Sequence, residues 1–314
     1  MTSDPPLTHP RIIAVVVTYH PDLPRLQRQL DALTPQVHSI VVVDNGSSDD
    51  LTAWMTDHSG HKHIVVQLDR NHGIAHAQNV GIQHARRHCA THVLLMDQDS
   101  LPAPDMVSQL LGAAQSSASV AAVGPRFMDT RHDNPPPFIR VRGLRLERMA
   151  CVPGRPIVPV DYLIASGCLI PMSTLDRVGP KRADLFIDYV DIEWGLRAKR
   201  EGFQSYGVCT VTMEHSLGDE PLRFIGRIFP THTPLRHYYH VRNAILLYRE
   251  PWVPLNWKVV DCGRLLLRFG FYSLMTAPRL DHLRMMTMGL WHGLRGRSGP
   301  FGSTSQHAPS QLPS

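Results

Sequence analysis

No apolar run in this chain approaches the roughly 20 residues needed to cross a bilayer. The amino terminus, MTSDPPLTHPR, lacks a basic segment followed by an apolar core, so neither a spanning helix nor a secretory leader is expected. Cysteine is sparse. Cys89, Cys151, Cys168, Cys209 and Cys262 are scattered without paired spacing, which argues against a disulfide framework or a zinc site and favours a reducing compartment. GxxxxGK[ST] is absent and no GxGxxG follows the first apolar run, so a Walker-type phosphate loop and a dinucleotide fold are disfavoured. Internal repeats are missing too. What is present is a globular composition, 43% hydrophobic and 19% charged over 314 residues, enough for one large or two smaller domains. The net charge of +5 suits anionic substrates or an anionic membrane surface, and equally an ordinary basic exterior.

Residues 1–10 read as a flexible, Pro-rich leader. Ile12–Val17 is a β-branched run that reads as a buried strand, and Leu23–Leu33 then has helical spacing. Ile40–Val43 and Ile64–Leu68 are further strands, the second followed by a helix over Ile74–His88. Val93–Met96 is the fourth strand and ends in Asp97-Gln98-Asp99. Strands alternating with helices indicate βαβ crossovers and a mostly parallel α/β sheet, with polar turns gathered at one edge.

Val120–Pro125 reads as another strand, and Arg131–Pro156 as a long loop of the kind that forms lids. A strand pair is expected in Val160–Pro171, a helix in Leu185–Gly202 and a short strand in Val208–Met213. Residues 221–295 read as a helical, basic amphipathic region. Within it the helix Asn256–Met275 places Val260, Leu267, Phe271 and Leu274 on one face, with Arg264 and Arg268 on another. Such a helix can lie in a membrane interface or pack on its own domain. The tail 296–314 has a disordered composition.

Two acidic groups carry the chemistry. Asp97 and Asp99 form either a divalent-metal site at a strand end or a helix cap. Asp188, Asp191 and Glu193 precede a helix ending in Arg197, Lys199 and Arg200, so they either complement its dipole or include a general base. His215 at a strand end is a candidate metal ligand. Asp44, Asn45, Gly46 and Ser47 form a turn that can meet a base or ribose. Asn71, Gly73 and Asn79 lie where a helix start can approach a phosphate.

The ordered set Thr18-Tyr19, Asp44-Asn45-Gly46-Ser47, Asn71-x-Gly73-Ile74-Ala75-x-Ala77-x-Asn79, Asp97-x-Asp99, Asp188-x-x-Asp191-x-Glu193-Trp194 and His215 resembles the family-2 inverting glycosyltransferases of GT-A fold. The details, with Arg236-His237-Tyr238-Tyr239-x-x-Arg242-Asn243, look most like bacterial dTDP-rhamnosyltransferases. The resemblance implies a Rossmann-like, mostly parallel sheet flanked by helices, with a helical extension. Its catalytic domain would span 11–220, with a nucleotide-sugar half over 11–125 and an acceptor half over 157–220. It implies that Thr18, Tyr19, Asp44, Asn45, Ser47, Asn71, Gly73, Asn79 and Asp97 hold the nucleotide sugar, and that Arg242 neutralises the leaving diphosphate. Asp99 and His215 would bind Mg²⁺ or Mn²⁺, and Asp191 would be the base. Gly167, Asp188 and Trp194 would shape the acceptor side. The implied partners are dTDP-rhamnose and a saccharide or lipid-linked saccharide, at the cytoplasmic face of the membrane and without nucleic acid. UDP-galactofuranose or UDP-glucose as donor, or a sugar nucleotidyltransferase, are the alternatives.

Overall fold

Strand β1 (Ile12–Thr18) is buried along its whole length, as a β-branched run without polar alternation requires when both faces of a sheet are covered. The computed structural model describes residues 10–47, 51–58, 63–128, 137–215, 222–224, 227–229 and 232–302. β1 pairs in parallel with β2 (Ser39–Asp44), with Thr18 beside Asp44 in register. On its other side it pairs in parallel with β4 (His92–Asp97), with Val17 beside Asp97. β3 (His63–Gln67) extends the sheet beyond β2.

The crossovers are α1 (Leu23–Leu33), α2 (Leu51–His58) and α3 (Ile74–Arg87). α1 starts where the Asp22 carboxylate accepts from the Arg25 amide at 2.9 Å, and it buries Leu26, Leu30 and Leu33. β5 (Ser100–Pro102), α4 (Met106–Ala114) and β6 (Val120–Met128) follow. Next come β7 (Phe138–Arg142), β8 (Arg145–Met149), β9 (Ile157–Val160), β10 (Cys168–Pro171), α5 (Met172–Val178), α6 (Val190–Arg200) and β11 (Gln204–His215). The central sheet runs β3-β2-β1-β4-β10-β6-β11-β5, with β9 on β11. β10 inserts antiparallel beside β4, with Cys168 opposite Leu95, and so carries the residues just before it to the carboxyl end of β4. The expected mostly parallel α/β sheet is what forms.

After a short ribbon, β12 (Leu222–Phe224) and β13 (Arg227–Phe229), the chain ends in α7 (Pro234–Arg249), α8 (Leu255–Met275) and α9 (Arg279–Leu294). Apolar clusters fill both faces of the sheet, and a third joins α6 to α7, α8 and α9.

Four sequence expectations are corrected. Within the expected loop Arg131–Pro156, β7 and β8 form a hairpin turning at Gly143, whose φ of +55° is easy for glycine; residues 129–136 lie outside the described set. Cys151 and Cys209 form a disulfide across 58 residues, because β11 brings them together where sequence spacing gives no hint. Its presence removes the cysteine argument for a reducing compartment. The helix expected from Leu185 starts only at Val190, since Phe186, Asp188 and Tyr189 take φ of +67°, +62° and +62°. Residues 296–302 of the supposed disordered tail pack on α7: the Phe301 amide donates to the Tyr239 hydroxyl at 2.7 Å and its ring meets Tyr238. The helix read over Asn256–Met275 is α8, which buries Trp257, Asp261, Leu265 and Tyr272 and leaves Leu267 and Leu274 77% and 64% exposed. The leader up to residue 9 and the tail from 303 are outside the described residues.

Candidate active site

Three strand ends build the first half of the cleft. Asp44, fully buried at the end of β2, accepts from the Thr18 hydroxyl at 3.1 Å, the Ser47 amide at 3.0 Å and the Ser47 hydroxyl at 2.5 Å. The Ser47 hydroxyl also accepts from the His20 amide at 2.8 Å, which ties the turn after β2 to that after β1. Asn45 reaches the third turn, donating to Asn71 Oδ1 at 3.1 Å and accepting from the His72 amide at 3.0 Å. Asn71 Oδ1 in turn accepts from the Gly73 amide at 2.9 Å. Tyr19 stands 45% exposed at this edge, an aromatic face open to a base.

The turn after β4 is braced through its main chain. Gln29 donates to the Asp97 and Ser100 carbonyls at 2.6 and 2.7 Å, and Arg25 to the Asp99 carbonyl at 2.6 Å. Gln98 clasps the Tyr19 backbone from both sides, accepting from its amide at 2.7 Å and donating to its carbonyl at 3.2 Å. His215 pairs in register with Ser100, which puts its main chain beside Asp99. Among the described residues no three His, Cys, Asp or Glu converge into a metal cage. One or two protein ligands on a strand-end turn fit an ion such as Mg²⁺ or Mn²⁺ that takes its remaining oxygens from a diphosphate.

The second acidic centre is held at both carboxylate oxygens. Asp191 Oδ1 lies 2.6 Å from the ammonium of Lys181, whose side chain is 3% exposed, and Oδ2 accepts from the Ala165 amide at 2.9 Å. Lys181 is itself fixed by Asn79, whose carboxamide accepts from the Lys181 amide at 2.9 Å and donates to its carbonyl at 2.8 Å. The Lys181 ammonium also sits 5.7 Å from the centre of the Trp194 ring, whose indole N–H donates to the Gly179 carbonyl at 3.0 Å. Burial pushes the nearby Cys168 thiol up to about 12, so it stays neutral beside the pair.

The two centres meet on one dipeptide. Ala165 binds Asp191, and the next residue, Ser166, accepts from the Asp97 amide at 3.1 Å and shares a 2.6 Å hydroxyl contact with Ser100. Gly167 follows with φ of +74° and donates its amide to the Leu95 carbonyl, locking this loop to β4. At Gly73, φ +88°, an added Cβ would come within 2.5 Å of the Phe186 carbonyl, so only glycine lets the start of α3 touch the turn before α6.

Two expected donor contacts lie elsewhere. Asn79 holds Lys181, as above, and does not face the three strand-end turns. Arg242 is 1% exposed and donates to the Leu185 carbonyl at 3.0 Å and to that of Gly299, while Asn243 donates to the Leu185, Ile187 and Asp188 carbonyls at 2.9, 2.7 and 3.0 Å. Together they clamp the turn before α6. Asp188 faces Arg236 of α7 at 3.4 Å. Sequence reasoning missed Lys181, Gln29, Gln98 and Ser166. Only Gln98, between the two aspartates, sat inside a motif; the others carry no local pattern.

Residues 14–163 match the family model for Glycosyl transferase family 2. The chain is 31% identical over 290 residues to the dTDP-rhamnosyl transferase RfbF of Shigella flexneri, covering 92% of this chain and 97% of that protein. It is 26% identical over 297 residues to the galactofuranosyltransferase GlfT1 of Mycolicibacterium smegmatis, covering 88% and 95%. Among solved structures it superposes on GalNAc-T7 with UDP, GalNAc and Mn²⁺ at a TM-score of 0.61 and 12% identity, covering 92% of this chain and 56% of that longer one. On the mannosyltransferase PcManGT of Pyrobaculum calidifontis with GDP-Man and Mn²⁺ it scores 0.56 at 15% identity, covering 93% and 88%. The sheet and its insertion are thus those of a GT-A glycosyltransferase, and the chain belongs to glycosyl transferase family 2.

Proposed function

We propose that the protein transfers L-rhamnose, with inversion, from dTDP-β-L-rhamnose to a hydroxyl of a lipid-linked saccharide, in the assembly of a bacterial surface polysaccharide such as O-antigen. The observation that carries this reading is the Ala165-Ser166 bridge, which sets Asp191 and the Asp97 turn on either side of one dipeptide. Inverting transfer needs one base for the acceptor and an electrostatic clamp for the departing diphosphate, without the second nucleophilic carboxylate of retaining enzymes. The donor sugar follows the 31% identity to a dTDP-rhamnosyl transferase across nearly the whole chain.

Asp44 accepts the N3–H of the thymine, Thr18 and Ser47 hold Asp44 in place, and Tyr19 and Asn45 line the nucleoside. Asn71 and Gly73 carry the third turn against it. Asp97 orients the ribose or sugar. Asp99 and His215 would hold Mg²⁺ or Mn²⁺, which when bound offsets the charge on the leaving diphosphate. Asp191 takes the acceptor proton, oriented by Lys181 and the Ala165 amide. Gly167, Asp188 and Trp194 shape the acceptor side around it. The reaction is placed at the cytoplasmic face of the cell membrane.

A galactofuranose donor is the second reading, favoured by the GlfT1 likeness. A thermal-shift panel of dTDP, UDP and GDP with and without Mn²⁺, followed by turnover of dTDP-rhamnose, separates them. Stabilisation by dTDP that needs Mn²⁺, with rhamnose turnover, is the expected result. Preference for UDP would move the chain to the second donor class, and no response to any nucleotide would overturn the enzyme reading.

A further inference from the structure

Helices α8 and α9 bury one face each and leave the other bare. On α8, Leu255, Val259, Leu266, Leu267 and Leu274 are 75%, 50%, 68%, 77% and 64% exposed. At about 100° per residue they fall within an arc of about 120°, a single stripe. On α9, Leu280, Leu283, Leu290, Trp291 and Leu294 are 79%, 40%, 37%, 52% and 54% exposed and share an arc of about 100°. Exposed apolar surface of this extent marks a docking surface.

The charges say what docks. Arg279, Arg284 and Arg295 flank the stripe of α9, whereas on α8 Lys258 donates to the Glu250 carbonyl at 2.6 Å, Arg268 bonds the His240 ring at 2.9 Å and Arg264 bonds Tyr162. Asp281 is the one exposed acid on these two helices, since Asp261 is buried and accepts from the Tyr189 and Tyr248 hydroxyls at 2.7 Å each. Arg295 lies 3.9 Å from the centre of the Trp291 ring, an amphipathic pair of the kind that settles at headgroup depth. A second copy of the chain laid symmetrically on this face would oppose cation to cation, which disfavours self-pairing. No described helix is long and apolar enough to cross a membrane. We infer that the outer faces of α8 and α9 dock on an anionic lipid surface, inserting their leucines and Trp291 into the interface while the arginines of α9 meet lipid phosphates.

This deepens the transferase reading and rests on it for its purpose. The inner face of α8 holds Tyr189 through Asp261, and Tyr189 stands two residues before Asp191. α7 clamps the same turn through Asn243. The lipid-facing helices and the base thus belong to one packed frame, which would present a lipid-linked acceptor to Asp191 while the donor enters from the strand ends.

The test is flotation of the full-length protein with acceptor-free vesicles of phosphatidylcholine, alone or with about a third phosphatidylglycerol, beside its mass by light scattering. At least tenfold more protein floating with the anionic vesicles is expected. Leu267→Asp/Trp291→Ala and, separately, Arg279→Glu/Arg284→Glu should each cut that at least fivefold while keeping the wild-type circular dichroism and the nucleotide shift. Equal flotation with both vesicles, no flotation, or a dimer that Leu267→Asp/Trp291→Ala dissociates would overturn the inference. Because the vesicles carry no acceptor, such a failure leaves the transferase reading to the nucleotide panel.

Discussion

The strand-end half of the cleft and the half around α6 are built on different principles. At the ends of β1, β2 and β3 the functional residues hold each other: Thr18, Asp44, Ser47, Asn45 and Asn71 form one local mesh of hydrogen bonds between neighbouring turns. Around α6 the partners come from several different elements. Asp191 depends on Lys181, which depends on Asn79 102 residues away, and the strained turn before α6 is held by Asn243 of α7. On the proposed reading, a donor site made of adjacent turns is pre-formed once the sheet forms, and a base assembled from α3, α6 and α7 is correct only when all three are packed. Damage to distant packing should therefore cost transfer before it costs nucleotide binding.

The largest effect is expected at the base. Asp191→Asn should lower kcat for transfer by about a thousandfold, within the usual range for removing a general base. Next is the seam between the halves. Gly73→Ala forces a side chain at φ +88° into the Phe186 backbone, and it should destabilise the fold by about 3 kcal/mol in urea unfolding. Lys181→Met should reduce kcat by about thirtyfold with the dTDP affinity unchanged, since it removes one of the two groups orienting Asp191. Lys181→Arg, which keeps the charge, should recover part of that loss; equal losses of kcat and donor affinity would mean the two halves are not separable.

The smallest effect is on stability against pH. Burial, with neighbouring histidines adding to it, lowers the His237 pKa from 6.5 to about 3. Its folded pKa lies below its unfolded one, so the unfolded chain takes up the proton first and stability falls as pH drops below 6.5 towards 3. At pH 5 this amounts to about 2 kcal/mol for one such histidine. A His237→Gln variant should show a flatter Tm between pH 7 and pH 5, and because His237 sits among α7, α8 and α9, donor binding should be unaffected.

The same contrast explains what the sequence disclosed. β1 to β4 and α1 were legible nearly to the residue, because β-branched runs and the 3–4 spacing of leucines over Leu23–Leu33 are local signals. The turn residues at the strand ends were legible for the same reason. Lys181 was invisible because a lone lysine between Pro180 and Arg182 carries no pattern, and its partners are brought by α3 and α6. Arg242 was given a diphosphate role by the resemblance alone, whereas folding spends its guanidinium on backbone carbonyls. The hairpin in 138–149 was legible but passed over: Ile139-Arg140-Val141-Arg142 and Leu144-Arg145-Leu146-Glu147 alternate apolar and charged residues around Gly143, whereas the Cys151–Cys209 bond depends on the register of β11.

The division of labour between the two acidic centres is tested most directly by calorimetric titration of Asp191→Asn and Asp99→Asn with dTDP and Mn²⁺. Asp191→Asn should bind dTDP–Mn²⁺ with wild-type affinity, whereas Asp99→Asn should lose the Mn²⁺-dependent part of binding by about tenfold or more. Loss of dTDP–Mn²⁺ binding in Asp191→Asn, or its retention in Asp99→Asn, would contradict the account.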